Sequence, residues 1–251
     1  CGQSCDMAGI HGLAQHYGFR VIEDASHAVG GRYRNHPVGN CQYSDITIFS
    51  FHPVKIITTG EGGMALTNDA SLAKRMLLLR SHGITRDTTD MTAPSDGPWY
   101  YQQIALGFNY RMTDIQAALG LSQTQHLEEW VSRRHALAAR YDQALAELPL
   151  LLPHQHTDAY SAWHLYVIQL KSEAPLGRAE MFTALRDDGI GVNVHYIPVH
   201  LQPYYRELGF KVGDFPVAET YYSRAVSIPL YSALDDAQQN YVIERLIKHC
   251  G

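Results

Sequence analysis

Three side chains with chemical potential, an aspartate, a histidine and a lysine, sit at the ends of short apolar runs. Asp45 to Leu66 reads DITIFSFHPVKIITTGEGGMAL. Ile46, Ile48 and Phe49 predict a strand, which the chain leaves through Ser50, Phe51, His52 and Pro53 before presenting Lys55. A glycine-rich turn, Gly60-Glu61-Gly62-Gly63, then leads to a second apolar strand, Met64-Ala65-Leu66. An amine held between two buried strands is out of place for a strongly hydrated charge. Burial lowers its pKa and makes it nucleophilic, as a Schiff-base lysine requires. A lysine at the surface end of a strand fits the same position. Upstream, Phe19 to Glu23 predicts a buried strand running into Glu23-Asp24-Ala25-Ser26-His27-Ala28. Ligands of open α/β sheets lie at the carboxyl ends of strands, where Asp24 and His27 fall, with Gly30 and Gly31 permitting close approach. A turn-capping Asp24 with His27 as its neighbour reads equally well from these residues.

The elements that must position these groups follow from periodicity. Asp6 to Tyr17 predicts a helix capped by Asp6 and stopped by Gly18, so that helix, turn and strand make half of a βαβ unit. The strand that would precede it is not found, and the start at CGQSCDMAG, without an initiator Met, reads as processing or as a fragment. Asp69 to Leu79 predicts a helix ending near Gly83, and Thr85 to Gln103 a long polar loop. Thr113 caps a helix whose apolar spacing continues to about Leu148, long enough to join two domains. Beyond a linker at Leu150 to Ala159, strands at Trp163–Leu170, Gly191–Ile197 and Val226–Leu230 alternate with helices at Gly177–Asp188, Val217–Ala225 and Asp235–His249. The expected division is residues 1–150, a larger α/β part including the long helix, and residues 151–251, a small α+β domain.

Bulk properties narrow the function. The 251 residues suffice for one large or two ordinary domains. A net charge of -5 without a basic block argues against nucleic acid as the main partner. No apolar run approaches a membrane span. Cys1, Cys5, Cys41 and Cys250 form no CxxC pair, so a reducing, cytoplasmic setting is expected. Among 14 histidines, His154 and His156 are the only close pair; they lack nearby Cys, so no metal site is expected.

The strings EDASHA, SFHPVKIITTGEGGM and GFNYRMTDIQAALG, in this order and spacing, resemble the DegT/DnrJ/EryC1/StrS family of sugar aminotransferases. SFHPVK, SHGITRD, GPWYY and VHYIPVHLQPYY resemble its PseC-type branch, which serves pseudaminic acid synthesis. The similarity runs through essentially the whole chain. It implies an α/β, fold type I, aspartate-aminotransferase-like pyridoxal-phosphate enzyme, with a partial large domain and a smaller α+β C-terminal domain. Lys55 then matches the Schiff-base lysine and proton carrier, and Asp24 the partner of the pyridine nitrogen. His27 matches a residue packed by the ring, and Ser50 a phosphate or substrate-hydroxyl contact. Asn109 matches a residue reaching the cofactor phosphate of a neighbouring subunit, which implies a homodimer with shared sites. Arg111 could support that contact or the sugar nucleotide, and His195 and Tyr196 match the segment lining the nucleotide-sugar pocket. The implied reaction carries an amino group from L-glutamate, which leaves as 2-oxoglutarate, to C4 of a UDP-linked 4-keto-6-deoxy-N-acetylhexosamine. Family members extend ahead of the position where this chain starts, so weak cofactor binding by this chain alone is expected. Two alternatives stand beside this reading: a truncated, catalytically incompetent binding or regulatory module, and a metal-dependent hydrolase built on the histidines.

Overall fold

A computed structural model describes residues 1–251. In chain order the first part contains α1 (Met7–Tyr17), β1 (Ile22–Asp24), β2 (Arg32–Tyr33), β3 (His36–Pro37), β4 (Ile46–Ser50), β5 (Gly63–Leu66), α2 (Ala70–Leu79), β6 (Ile84–Thr85), β7 (Gln102–Gln103), α3 (Asp114–Thr124) and α4 (Leu127–Leu145). There follow β8 (Leu150–Leu151), β9 (Ala159–Tyr160), β10 (Tyr166–Leu170), α5 (Arg178–Asp187), a short 3-10 turn (Val199–Leu201), α6 (Pro203–Glu207), α7 (Pro216–Arg224), β11 (Ala225–Ile228) and α8 (Asp236–Cys250). No helix is long and apolar enough to cross a membrane.

The helix ends follow the predicted chemistry. Asp6 accepts the Gly9 N–H at the start of α1, and Gly18 closes it in the left-handed region at φ 72°. Asp69 caps α2 through the Ser71 and Leu72 amides. Thr113 and Gln116 form a reciprocal capping box on α3, as do Asp235 and Gln238 on α8.

Two sheets matter for function. In the first, β4 is central, parallel to β1 and antiparallel to β5. Thr47 and Phe49 alternate into its buried face. In the second, β10 lies between β11 and β8, antiparallel to both. Its apolar residues join α4, α5 and α8 in a 21-residue core. A separate 9-residue cluster draws Ala25, Ala28 and Val29 together with Phe51, Ile56 and Ile57. Helix α4 serves both, with Val131 in the smaller cluster and Leu137, Tyr141 and Leu145 in the larger.

Several expectations need correction. The run from Thr113 to Leu148 is two helices, because Gln125 and His126 interrupt it. Thr124 Oγ1 donates to the Leu121 carbonyl at 2.7 Å, the His126 N–H turns back to Gln123 O, and His126 sits at φ −101°, ψ 1°. Phe19 to Glu23 is not a buried strand: β1 begins at Ile22, which is 66% exposed, because β1 is an edge of the three-stranded sheet. The same edge position leaves β5 largely exposed. Gly191–Ile197 forms no strand and holds only one bridge, Asn193 to Ser227. The strand expected from Trp163 starts at Tyr166, since Trp163 turns into the left-handed region at φ 50°. The long polar loop is closed at its base by β6 pairing with β7.

Candidate active site

The geometry begins with parallel pairing. Asp24 is the last residue of β1 and lies in register with Ile48 of β4. The Ala25 N–H continues the ladder to Ile48 O at 2.9 Å. Chain direction therefore brings the loop after Asp24 and the loop after Ser50 out at the same sheet end. Both loops are fixed by burial, Ala25, Ala28 and Val29 from the first packing with Phe51, Ile56 and Ile57 from the second. Gly30 matters here: at φ 83°, an added Cβ would lie 2.9 Å from Val131 Cγ2, so only glycine lets α4 dock against this loop.

Lys55 stands in a turn braced on every side. Its N–H donates to His52 O at 2.9 Å, and buried Ile56 and Ile57 follow it. Downstream, Thr58 Oγ1 donates to Phe51 O, while the Thr58 N–H donates to Gln123 Oε1 of α3, both at 2.9 Å. The amine is half-buried; desolvation lowers its pKa below the usual lysine range, and the Asp24 charge pulls it partly back up.

Asp24 is held ionised. Its Oδ1 accepts the Ser26 hydroxyl at 2.5 Å and the Ser26 N–H at 3.0 Å, and these bonds depress its pKa, with smaller contributions from His27 and Lys55. The sequence allowed either a turn cap or a ligand-facing acid; Oδ1 caps the turn, while Oδ2 takes no hydrogen bond from the protein. His27 is depressed to about 4, first by desolvation and then by the Lys55 charge, so its ring is neutral at ordinary pH. His195 is lowered by the same two causes. Its Nδ1 lies 2.7 Å from Ser227 Oγ on β11, and its ring meets Tyr196 edge-on at 4.7 Å.

Asp24, His27, Lys55 and His195 thus share one electrostatic neighbourhood. Ser50 lies at its border, at the end of β4, its hydroxyl accepting the His52 N–H at 3.4 Å. Asn109 and Arg111 are not brought in. They occupy an exposed segment held against the end of α2 by a Ser81–Asn109 bridge and by Phe108 N–H to Leu79 O at 2.7 Å. Tyr196 is mostly exposed. The His154 and His156 rings lie 5.6 Å apart, and no group of three or more His, Cys, Asp or Glu side chains gathers anywhere that could hold a metal ion. The residues missed by the sequence reading are Ser26, which holds Asp24, and His164 and Arg134, both buried next to the cluster. A lone imidazole inside the otherwise apolar Ala162–Tyr166 run was the available signal for His164.

The group this arrangement fits has two ends. A free carboxylate oxygen suits a protonated ring nitrogen, and an amine of lowered pKa suits an aldehyde. Pyridoxal phosphate has both.

Comparison with known proteins agrees. The chain is 44% identical over 247 residues to the spore coat polysaccharide biosynthesis protein SpsC of Bacillus subtilis, covering 97% of this chain and 63% of SpsC. It thus spans less than two thirds of the length of the curated relatives it matches. Helicobacter pylori PseC, an aminotransferase involved in the biosynthesis of pseudoaminic acid, superposes with a TM-score of 0.89 at 29% identity, over 98% of this chain and 64% of PseC. Spr1654 of Streptococcus pneumoniae, solved in PLP- and PMP-forms, superposes with a TM-score of 0.86 at 28% identity, over 98% of this chain and 65% of that one. Its neighbours are fold type I enzymes, and the cofactor of the group is pyridoxal phosphate. With residues 1–247 matching it, the chain belongs to the DegT/DnrJ/EryC1/StrS aminotransferase family.

Proposed function

We propose that this chain carries the lysine, carboxylate and histidine of an enzyme that moves an amino group from L-glutamate to C4 of a UDP-linked 4-keto-6-deoxy-N-acetylhexosamine, releasing 2-oxoglutarate. The observation that carries this reading is the placement of Lys55 and Asp24 in one electrostatic field at the carboxyl ends of two parallel strands. The resemblance to PseC supports the choice of sugar.

When bound, pyridoxal phosphate supplies an aldehyde that condenses with amines and a protonated ring that draws electrons from the adjacent carbon. Asp24, held ionised, would accept the ring N–H and keep that proton in place. Lys55 Nζ would be the attachment point and, as a free amine, would take a proton from one carbon and return it to another. Its lowered pKa favours the neutral, nucleophilic amine more than in an exposed lysine. His27 would pack beside the ring without adding a positive charge that competes for Asp24. Ser50 contributes a hydroxyl to phosphate or sugar, and His195 with Tyr196 lines the sugar-nucleotide side. Asn109 and Arg111, outside the cluster of their own chain, serve the site of a second copy. The same reading assigns residues 1–150 to cofactor binding and residues 151–251 to a smaller α+β lobe, in the cytoplasm.

The test is spectroscopic and catalytic. Pyridoxal phosphate at saturating concentration should give the chain an absorbance band that borohydride abolishes and that Lys55→Ala lacks, and glutamate with the UDP-linked 4-keto sugar should yield the 4-amino sugar. A borohydride-sensitive band without turnover of any nucleotide-linked keto sugar would instead favour the binding module.

A further inference from the structure

His164 is 7% exposed, and its Nδ1 has no hydrogen-bond partner. An unpaired buried nitrogen is destabilising and calls for a reason. The ring is held in a specific place. Its centroid lies 4.3 Å from that of His27, with the planes tilted by 58°. The backbone behind it is strained and clamped. Trp163, immediately before it, sits at φ 50°, a region bulky residues avoid, and its N–H is fixed by Ser161 Oγ at 3.0 Å. Arg134 of α4, itself buried, donates to the Trp163 carbonyl at 3.0 Å and to the Leu230 carbonyl at 2.7 Å. Strain, a buried guanidinium and an unpaired nitrogen all converge on one imidazole whose neighbour is His27.

We propose that His164 is a positioning residue: its buried ring fixes the plane in which His27 presents its imidazole beside Lys55 and Asp24. This rests on the cofactor reading above only for what His27 faces, not for the packing itself. The charged and titratable groups around the pair are Lys55, Asp24, Arg134, His195 and the chain's first amine. Burial and the neighbouring positive charges keep His164 neutral, so removing it changes no charge. Any change at His27 then reports water entry and lost orientation.

The experiment follows His27 in the cofactor-free chain by long-range ¹H–¹⁵N correlation of its imidazole against pH. His164→Ala should raise the His27 midpoint by about one unit, as water reaches the ring. His164→Phe keeps a flat ring and loses no hydrogen bond, so its midpoint should stay within about 0.3 unit. His164→Val, with a smaller void, should show about half the alanine effect and substitutes for it if that variant does not fold. Pyridoxal phosphate affinity should fall about tenfold in the alanine variant and less than about threefold in the phenylalanine variant. An unmoved His27 midpoint in the alanine and valine variants, with only thermal stability lost, would overturn the proposal; so would a phenylalanine variant as impaired as the alanine one. If unsubstituted chain binds no pyridoxal phosphate while the midpoints move as stated, the cofactor reading fails and the packing role of His164 stands.

Discussion

Lys55 feels two opposed influences, burial lowering its pKa and Asp24 raising it. Asp24→Asn removes the only charge that raises it. The pH midpoint for borohydride-trapped attachment of pyridoxal phosphate, read by mass spectrometry, should therefore fall relative to the unsubstituted chain, although the cofactor is held less tightly. A midpoint that rises would contradict the coupling. The histidine pair gives a second outcome. His27 and His164 are depressed to about 4 and about 2 in the folded chain, below the ordinary value of 6.5. Between these limits the unfolded chain binds more protons, so stability contributed by the neutral rings is complete above pH 6.5 and is lost as pH falls, through about 4 for His27 and about 2 for His164. Melting temperatures across that window should drop, and His164→Phe, which cannot be protonated, should flatten the drop.

Helix caps and glycine contacts decide whether the supporting elements hold. Thr113→Ala removes one arm of the α3 capping box and should cost about 1 kcal/mol in denaturant melts. Gly83 is more demanding. At φ 70° an added Cβ would meet the Ala105 carbonyl oxygen at 1.8 Å, so Gly83→Ala should destabilise by on the order of 3 kcal/mol and loosen the segment that carries Asn109. Local chemistry made many elements readable in advance. Asp6, Asp69, Thr113 and Asp235 marked helix starts, Gly18 marked an end, and the apolar runs at Ile46 and Val226 marked strands. Asp24, His27 and Lys55 were legible because strand ends and a glycine-rich turn flank them. The break at His126 was not, because it depends on Thr124 turning its hydroxyl inward and on Gln123 reaching Thr58, neither of which disturbs the apolar spacing. The exposure of β1 escaped notice for a similar reason: a hydrophobic run cannot say whether a neighbouring strand covers it. His164 was hidden because its partner, His27, is remote in sequence.

Across the whole molecule, the segment leading into α3 and α3 itself present a run of uncovered apolar side chains. Leu106 is 88% exposed and Ile115 85%, with Tyr110 and Leu121 also largely in solvent. A patch of this kind on the same stretch as Asn109 and Arg111 supports the proposed homodimer with shared sites. Sedimentation should give a dimer, and Ile115→Asp with Leu121→Asp should shift it towards monomer while leaving the circular dichroism unchanged; a monomeric parent chain would count against shared sites.

Helix α4 carries one more implication. Because Val131 anchors it in the cluster beneath Lys55 and Leu137, Tyr141 and Leu145 anchor it in the other, neither cluster can lose its packing without exposing the same rod of backbone. Calorimetry should then record a single endotherm rather than two, and denaturant that loosens the far lobe should silence the amine at the same concentration. The packing around β10 and α8 thereby helps to set the temperature at which chemistry stops.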